Sequence, residues 1–249
     1  MRLHILGSNG TYPTPDRPAS GYVVQHGDTL VWNDAGPGTF VELWDRFDLS
    51  DIDAVVISHE HPDHCSDLLS AYHALAHGPV RRPLLPVYCP APVVERISGF
   101  VRAGQGHPLG ATFDFRVVDD GDAVRVGDMG IEFRVTDHSV PTVGSRFEAG
   151  GRVLAYSADT GAEGPWSEIA EDVDFFLCEA TYQGDLSDHQ YKQHLTAGQA
   201  GQIARGRGAR RLMLTHIPAH LDPANSVMEA ERTFDRPVAL AVPGTSHDV

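Results

Sequence analysis

His59, Glu60, His61, Pro62, Asp63 and His64 spell His-x-His-x-Asp-His, the most specific chemical pattern in the chain. The motif directly follows Ile52 to Ser58, an apolar run suited to a buried strand. Two imidazoles at alternate positions of a tight loop can turn onto one metal ion. The adjacent Asp and His, opening the next helix, then point to a second ion close by, so the motif reads as one half of a two-metal hydrolytic site. Chance would produce four fixed residues at this spacing in roughly a few of every thousand chains this rich in His. More ligands of the right kind lie downstream, each at the end of an apolar run: His138 after Ile131 to Thr136, Asp159 after Val153 to Ser157, and His216 after Leu212 to Thr215.

Such a site needs strands to deliver its ligands to one edge. Strand-like runs occur at Arg2 to Leu6, Gly21 to Gln25, Thr29 to Trp32 and Ala54 to Ser58, with a helix across Phe40, Val41, Leu43, Trp44 and Phe47. His64 to His77 reads as one helix, and another starts near Pro92 after a strand at Pro86 to Cys89. The middle is strand-rich: Phe113 to Val118, Ala123 to Val126, Met129 to Thr136, Arg146 to Ala149 and Arg152 to Ser157. Strands at Phe175 to Glu179, Arg211 to Thr215 and Val238 to Val242 then alternate with helices near Thr196 to Arg205 and Pro223 to Phe234. This order fits an α/β class of two mixed sheets sandwiched by helices, in one domain over residues 1–249 with no dividing linker.

A formal net charge of −15 opposes attraction of a long polyanion, so no long nucleic acid is expected and a small substrate is favoured. The two short basic clusters, Arg81 with Arg82 and the group Arg205, Arg207, Arg210 and Arg211, read as solvated surface. Cys65, Cys89 and Cys178 are odd in number and widely spaced, which suits reduced thiols in a cytoplasm. Neither a signal peptide nor a membrane span is indicated, and a cytoplasmic protein is expected.

The words ISHEHPDH, TDHSVP, YSADT and LTHIP together resemble the metallo-β-lactamase superfamily, nearly end to end. The resemblance implies an αββα sandwich with the metal site at one edge. It implies that His59, His61 and His138 hold one metal and Asp63, His64 and His216 the other, with Asp159 bridging. A bridging carboxylate suits that place because each oxygen can serve one cation while the charge offsets their repulsion. Two divalent metals are expected, zinc first and manganese second; a His-rich site also accepts iron or cobalt.

Within the superfamily the chain resembles the ribonuclease Z-like branch, through LGSNGTYP with Ala19 to Gly21, Glu179 to Thr181, and His194 to Ala197. That resemblance implies a catalytic pair, Glu179 and His194, near the scissile phosphate, with Asp63 helping to orient or deprotonate water. The long arm by which ribonuclease Z grips transfer RNA has no room between His138 and Asp159. The better match is therefore to compact bacterial cyclic nucleotide phosphodiesterases, with 3′,5′-cyclic AMP or GMP as the expected substrate and 2′,3′-cyclic nucleotides next. A homodimer is implied only because such relatives often pair. The alternatives are a metal-dependent hydrolase of a lactone, thioester or sulfate ester, ribonuclease Z-like RNA processing, and a non-enzymatic metal-binding scaffold. His4, His26, His73, His77 and His107 read as structural or surface residues, His189 as a surface residue, and His220 as a candidate border of the pocket.

Overall fold

The computed structural model describes residues 1–80, 82–101 and 109–249. Arg81 and His107 lie outside the described residues. The first sheet contains β1 (Arg2–Gly7), β2 (Gly21–His26), β3 (Thr29–Asn33), β4 (Ala54–Val56), β5 (Leu85–Cys89) and β6 (Phe113–Val117). The second contains β7 (Ala123–Val126), β8 (Met129–Val135), β9 (Val143–Ala149), β10 (Arg152–Tyr156), β11 (Phe175–Glu179), β12 (Leu212–Thr215) and β13 (Val238–Leu240). A last strand, β14 (Ser246–Asp248), pairs antiparallel with β1 and completes seven strands in the first sheet as well.

The helices are α1 (Thr39–Arg46), α2 (Pro62–Cys65), α3 (Asp67–His77), α4 (Ala91–Phe100), α5 (Trp166–Ile169), α6 (Ala197–Gly206) and α7 (Pro223–Phe234). Three buried clusters make four layers of these parts. Tyr22, Phe133, Phe147 and Tyr156 fill the space between the sheets. Trp32, Phe40, Leu68 and Val93 join the first sheet to its helices, and Phe176, Ala200, Leu214 and Phe234 do so for the second. The αββα sandwich expected from the sequence is the observed fold.

Strand composition explains the layering. In β8 burial alternates along the strand, as a strand with one wet face requires. β11 is buried at all five residues, Phe175 to Glu179, because it lies between parallel neighbours β10 and β12 with helices behind it. Loops carrying His59 to His64, Asp159 and His216, and the end of β11 carrying Glu179, therefore lie at the carboxyl ends of β4, β10, β12 and β11, where parallel sheets place their binding crevices.

The helix expected from His64 to His77 is two helices. Ser66 keeps helical angles, but the Asp67 amide donates to the Ala35 carbonyl at 2.8 Å and the His64 carbonyl accepts from the Ala35 amide at 2.7 Å. The loop after β3 thus takes the hydrogen bonds that a continuous helix would use, and it fixes α2 as an independent turn. Pro62 at the first helical position presets that turn.

In the second basic cluster three members meet carboxylates: Arg210 meets Asp174, Arg207 meets Glu171, and Arg205 meets Asp235. All three thiols are buried, and burial pushes Cys65 and Cys89 up to about 12 and Cys178 well above the usual thiol value. The thiolate, the reactive form, is therefore scarce at pH 8. Native protein is expected to resist Ellman's reagent at that pH and to show three thiols in guanidinium. Rapid labelling of the native chain would contradict this burial. No helix of the described residues is long and apolar enough to cross a membrane.

Candidate active site

The loop after β4 and the first turn of α2 carry His59, His61, Asp63 and His64 to the edge of the sandwich. From the second sheet come His138 after β8, Asp159 after β10, Glu179 at the end of β11, His194 just before α6 and His216 after β12. All nine residues singled out in the sequence meet there.

Two groups form around Asp159, whose side chain is almost fully buried. Its Oδ2 faces His59 Nε2 at 3.7 Å and His138 Nε2 at 4.0 Å. The other oxygen, Oδ1, faces His64 Nε2 at 3.3 Å and His216 Nε2 at 3.5 Å. In the first group His61 Nδ1 lies 3.0 Å from His59 Nε2 and 3.2 Å from His138 Nε2. In the second, Asp63 Oδ2 is 3.2 Å from His216 Nε2 and 3.6 Å from His64 Nε2. Both groups have ligand atoms close enough to share one ion each.

The electrostatics fit cations at both places. Burial lowers the pKa of His59, His61 and His138, so three neutral imidazoles turn lone pairs towards one point. Burial opposes ionisation of Asp63 and Asp159, yet the surrounding histidines hold both below the usual carboxylate range. His64 Nε2 is buried without a well-formed hydrogen bond and faces only Asp159 Oδ1 at 3.3 Å and Asp63 Oδ2 at 3.6 Å, an arrangement suited to a metal ion between them.

The groups behind the ligands fix which nitrogen faces inward. His64 Nδ1 donates to Asp34 Oδ2 at 2.8 Å, His138 Nδ1 to the Gln193 carbonyl at 3.1 Å, and His216 Nδ1 to Thr181 Oγ1 at 2.9 Å. Each bond leaves Nε2 as the atom available to a metal ion. Asp34 was not singled out in the sequence. It is fully buried and also accepts from the Ser58 amide and hydroxyl and from Tyr156 Oη. Its signal was an Asp at the end of an apolar strand, the same pattern that marked His138, Asp159 and His216. Asp34→Asn is expected to weaken metal affinity by about 10- to 100-fold, read by competition with a chelating dye. Unchanged affinity in a folded variant would deny Asp34 this role.

Backbone strain gathers at the same edge. Thr11, Asp34, Ala158 and His216 all have φ between 52° and 68°, a region non-glycine residues occupy only when their surroundings enforce it. Thr11 uses that conformation to donate its amide to Asp63 Oδ2 at 2.9 Å. Gly10 has its own reason: a Cβ there would lie 2.5 Å from the His216 carbonyl oxygen. Close approach of the opening loop to a ligand strand explains this glycine.

Glu179 is buried and crowded with donors. Oε1 accepts from His194 Nδ1 at 2.9 Å and the Thr160 amide at 2.8 Å, and Oε2 accepts from Thr181 Oγ1 at 2.7 Å. Burial alone would lower the pKa of His194, but the Glu179 carboxylate, its hydrogen bond and then Asp159 raise it to about 9. Thr181 joins this dyad to His216, a link that the sequence signature contained without revealing its purpose. The Thr196–Gln199 capping box starts α6 directly after His194 and fixes the chain there. His220 borders the neighbouring cleft as expected, and so does His189, which had read as surface.

A family model described as a β-lactamase superfamily domain matches residues 29–217. The chain belongs to the metallo-β-lactamase superfamily. It is 34% identical over 250 residues to the uncharacterized protein Rv1339 of Mycobacterium tuberculosis, covering 97% of this chain and 90% of that protein. The probable metallo-hydrolase YhfI of Bacillus subtilis is 27% identical, with 98% of each chain covered. A crystal structure of YhfI superimposes with a TM-score of 0.86 at 25% identity, over 99% of this chain and 98% of that one. Ribonuclease Z of Methanopyrus kandleri is 26% identical over 93% of this chain and 92% of its own. This superfamily member is a metal-dependent hydrolase of the ribonuclease Z-like branch.

Proposed function

We propose that this superfamily hydrolase is a dinuclear phosphodiesterase of small cyclic nucleotides, 3′,5′-cyclic AMP or GMP first and 2′,3′-cyclic nucleotides next. The observation that carries the reading is the Glu179–His194 dyad at the rim of the two ligand groups. Hydrolysis driven by the metals alone has no use for a buried carboxylate that keeps an imidazole protonated. Cleavage of a diester does, because the departing alkoxide needs a proton. The ribonuclease Z among the relatives is, by its name, an enzyme of RNA, which supports phosphodiester chemistry over other esters.

When bound, two divalent ions, zinc by preference and manganese next, supply Lewis acidity and lower the pKa of water. His59, His61 and His138 would hold one, and Asp63, His64 and His216 the other, with one Asp159 oxygen for each. Asp63 Oδ2, fixed by the Thr11 amide, orients the attacking water and accepts its proton. With Nδ1 committed to Glu179, His194 presents Nε2 to the leaving oxygen and protonates it. A small cyclic phosphate carries one negative charge, so the acidic surface does not exclude it.

The test is hydrolysis of 3′,5′-cyclic AMP by zinc- or manganese-loaded protein, beside bis-para-nitrophenyl phosphate. Turnover of both supports the reading. Cleavage of the synthetic diester alone removes cyclic AMP as substrate, and inactivity on both with two metals bound moves the chemistry to another ester.

A further inference from the structure

His194 stands at one side of a cleft of about 440 Å³ whose other side the hydrolytic chemistry does not use. There the rings of Tyr182 and His189 stack, centroids 4.0 Å apart and planes 11° from parallel. His189 Nε2 is anchored on the Gln183 carbonyl at 2.9 Å, so the pair is held as a rigid plate. Tyr191 lines the same cleft and is 64% exposed, with Pro218 and Leu221 adding apolar surface.

The position of this plate matters as much as its composition. Tyr182 stands edge-on to His194, ring centroids 5.8 Å apart. A ligand whose phosphorus sits at His194 therefore meets aromatic faces directly beside it. A polar site joined to a mostly apolar, aromatic wall is the usual form of a small-molecule pocket. A plate that is already ordered loses little freedom when a second flat group stacks on it. A purely structural Tyr182–His189 pair would leave unexplained why Tyr191 exposes its ring into the same space.

We propose that this cleft binds the nucleobase of the substrate by stacking against the aromatic wall of Tyr182, His189 and Tyr191. The inference rests on the phosphodiesterase reading, in which the phosphate lies at His194. Stacking is indifferent to base edges, so the wall selects for a flat heteroaromatic group and tolerates different bases.

Isothermal titration calorimetry of the metal-loaded protein with adenosine 5′-monophosphate and with ribose 5-phosphate separates the two halves of the cleft. The expected result is AMP binding about tenfold or more tighter, the size of one base–aromatic stack. Tyr191→Ala and His189→Ala should each shrink that ratio severalfold, while Tyr191→Phe keeps it. Tyr191 is exposed, so its replacement leaves the fold intact. Equal binding of the two probes, or a ratio unmoved in both alanine variants, overturns the base site and leaves the phosphodiesterase reading standing. Failure of both probes to bind overturns the two together.

Discussion

If the chain holds the two ions proposed, Asp159→Asn is expected to lose at least one of them and to cut kcat/KM by about 10³-fold or more, equivalent to roughly 4 kcal/mol. The reason is the division of labour between its oxygens. Oδ2 serves the side of His59 and His138, and Oδ1 serves the side of His64 and His216. An amide keeps one acceptor and turns N–H groups towards the other side. It also removes the charge that lets two cations approach each other in a buried place. The replacement should spare the fold, because the backbone around residue 159 is held by bonds that do not involve its side chain, such as the Asp159 carbonyl accepting from Thr136 Oγ1 at 2.9 Å. Elemental analysis after dialysis reads the metal content, and a thermal melt checks folding. Two ions retained with near-normal turnover would sink the bridging assignment.

The two groups of candidate ligands were legible because metal chemistry favours few residue types. Such sites draw chiefly on His, Asp, Glu and Cys, and the fold brings candidate ligands to the ends of strands, so type and place coincide at His138, Asp159 and His216. The fold was legible for a related reason: sheets buried on both faces need long apolar runs, and Phe175 to Glu179 shows one plainly. Features that depend on distant contacts were not readable. The division of the helix from His64 to His77 is made by Ala35, about thirty residues away in sequence, and no local pattern announces it. β14 is three residues long and polar, and only its pairing with β1 makes it a strand. Asp34 and Thr181 act through other side chains, so their types are unremarkable until the partners are in place. His189 looked like a surface residue because nothing in the loop from Ser187 to His194 tells that its ring lies flat on Tyr182.

His194→Ala is expected to lower turnover of a cyclic nucleotide by about 10²- to 10⁴-fold, the range of general acid catalysis. Bis-para-nitrophenyl phosphate should lose far less, because nitrophenolate departs without a proton. The contrast separates proton donation from substrate binding, which would weaken both reactions alike. The pH profile gives a second view. Against the burial that lowers it, the Glu179 carboxylate raises the pKa of His194 to about 9, and the proposed mechanism uses the protonated form. kcat/KM should therefore fall as the pH rises through the pKa of His194. Cations in the adjoining groups draw that pKa down, in wild type and variant alike. Glu179→Gln keeps an acceptor for Nδ1 but removes the charge that offsets burial, so the alkaline limb should move to lower pH. A limb that stays in place would assign it to some other group and leave Glu179 a purely structural anchor for Thr160 and Thr181.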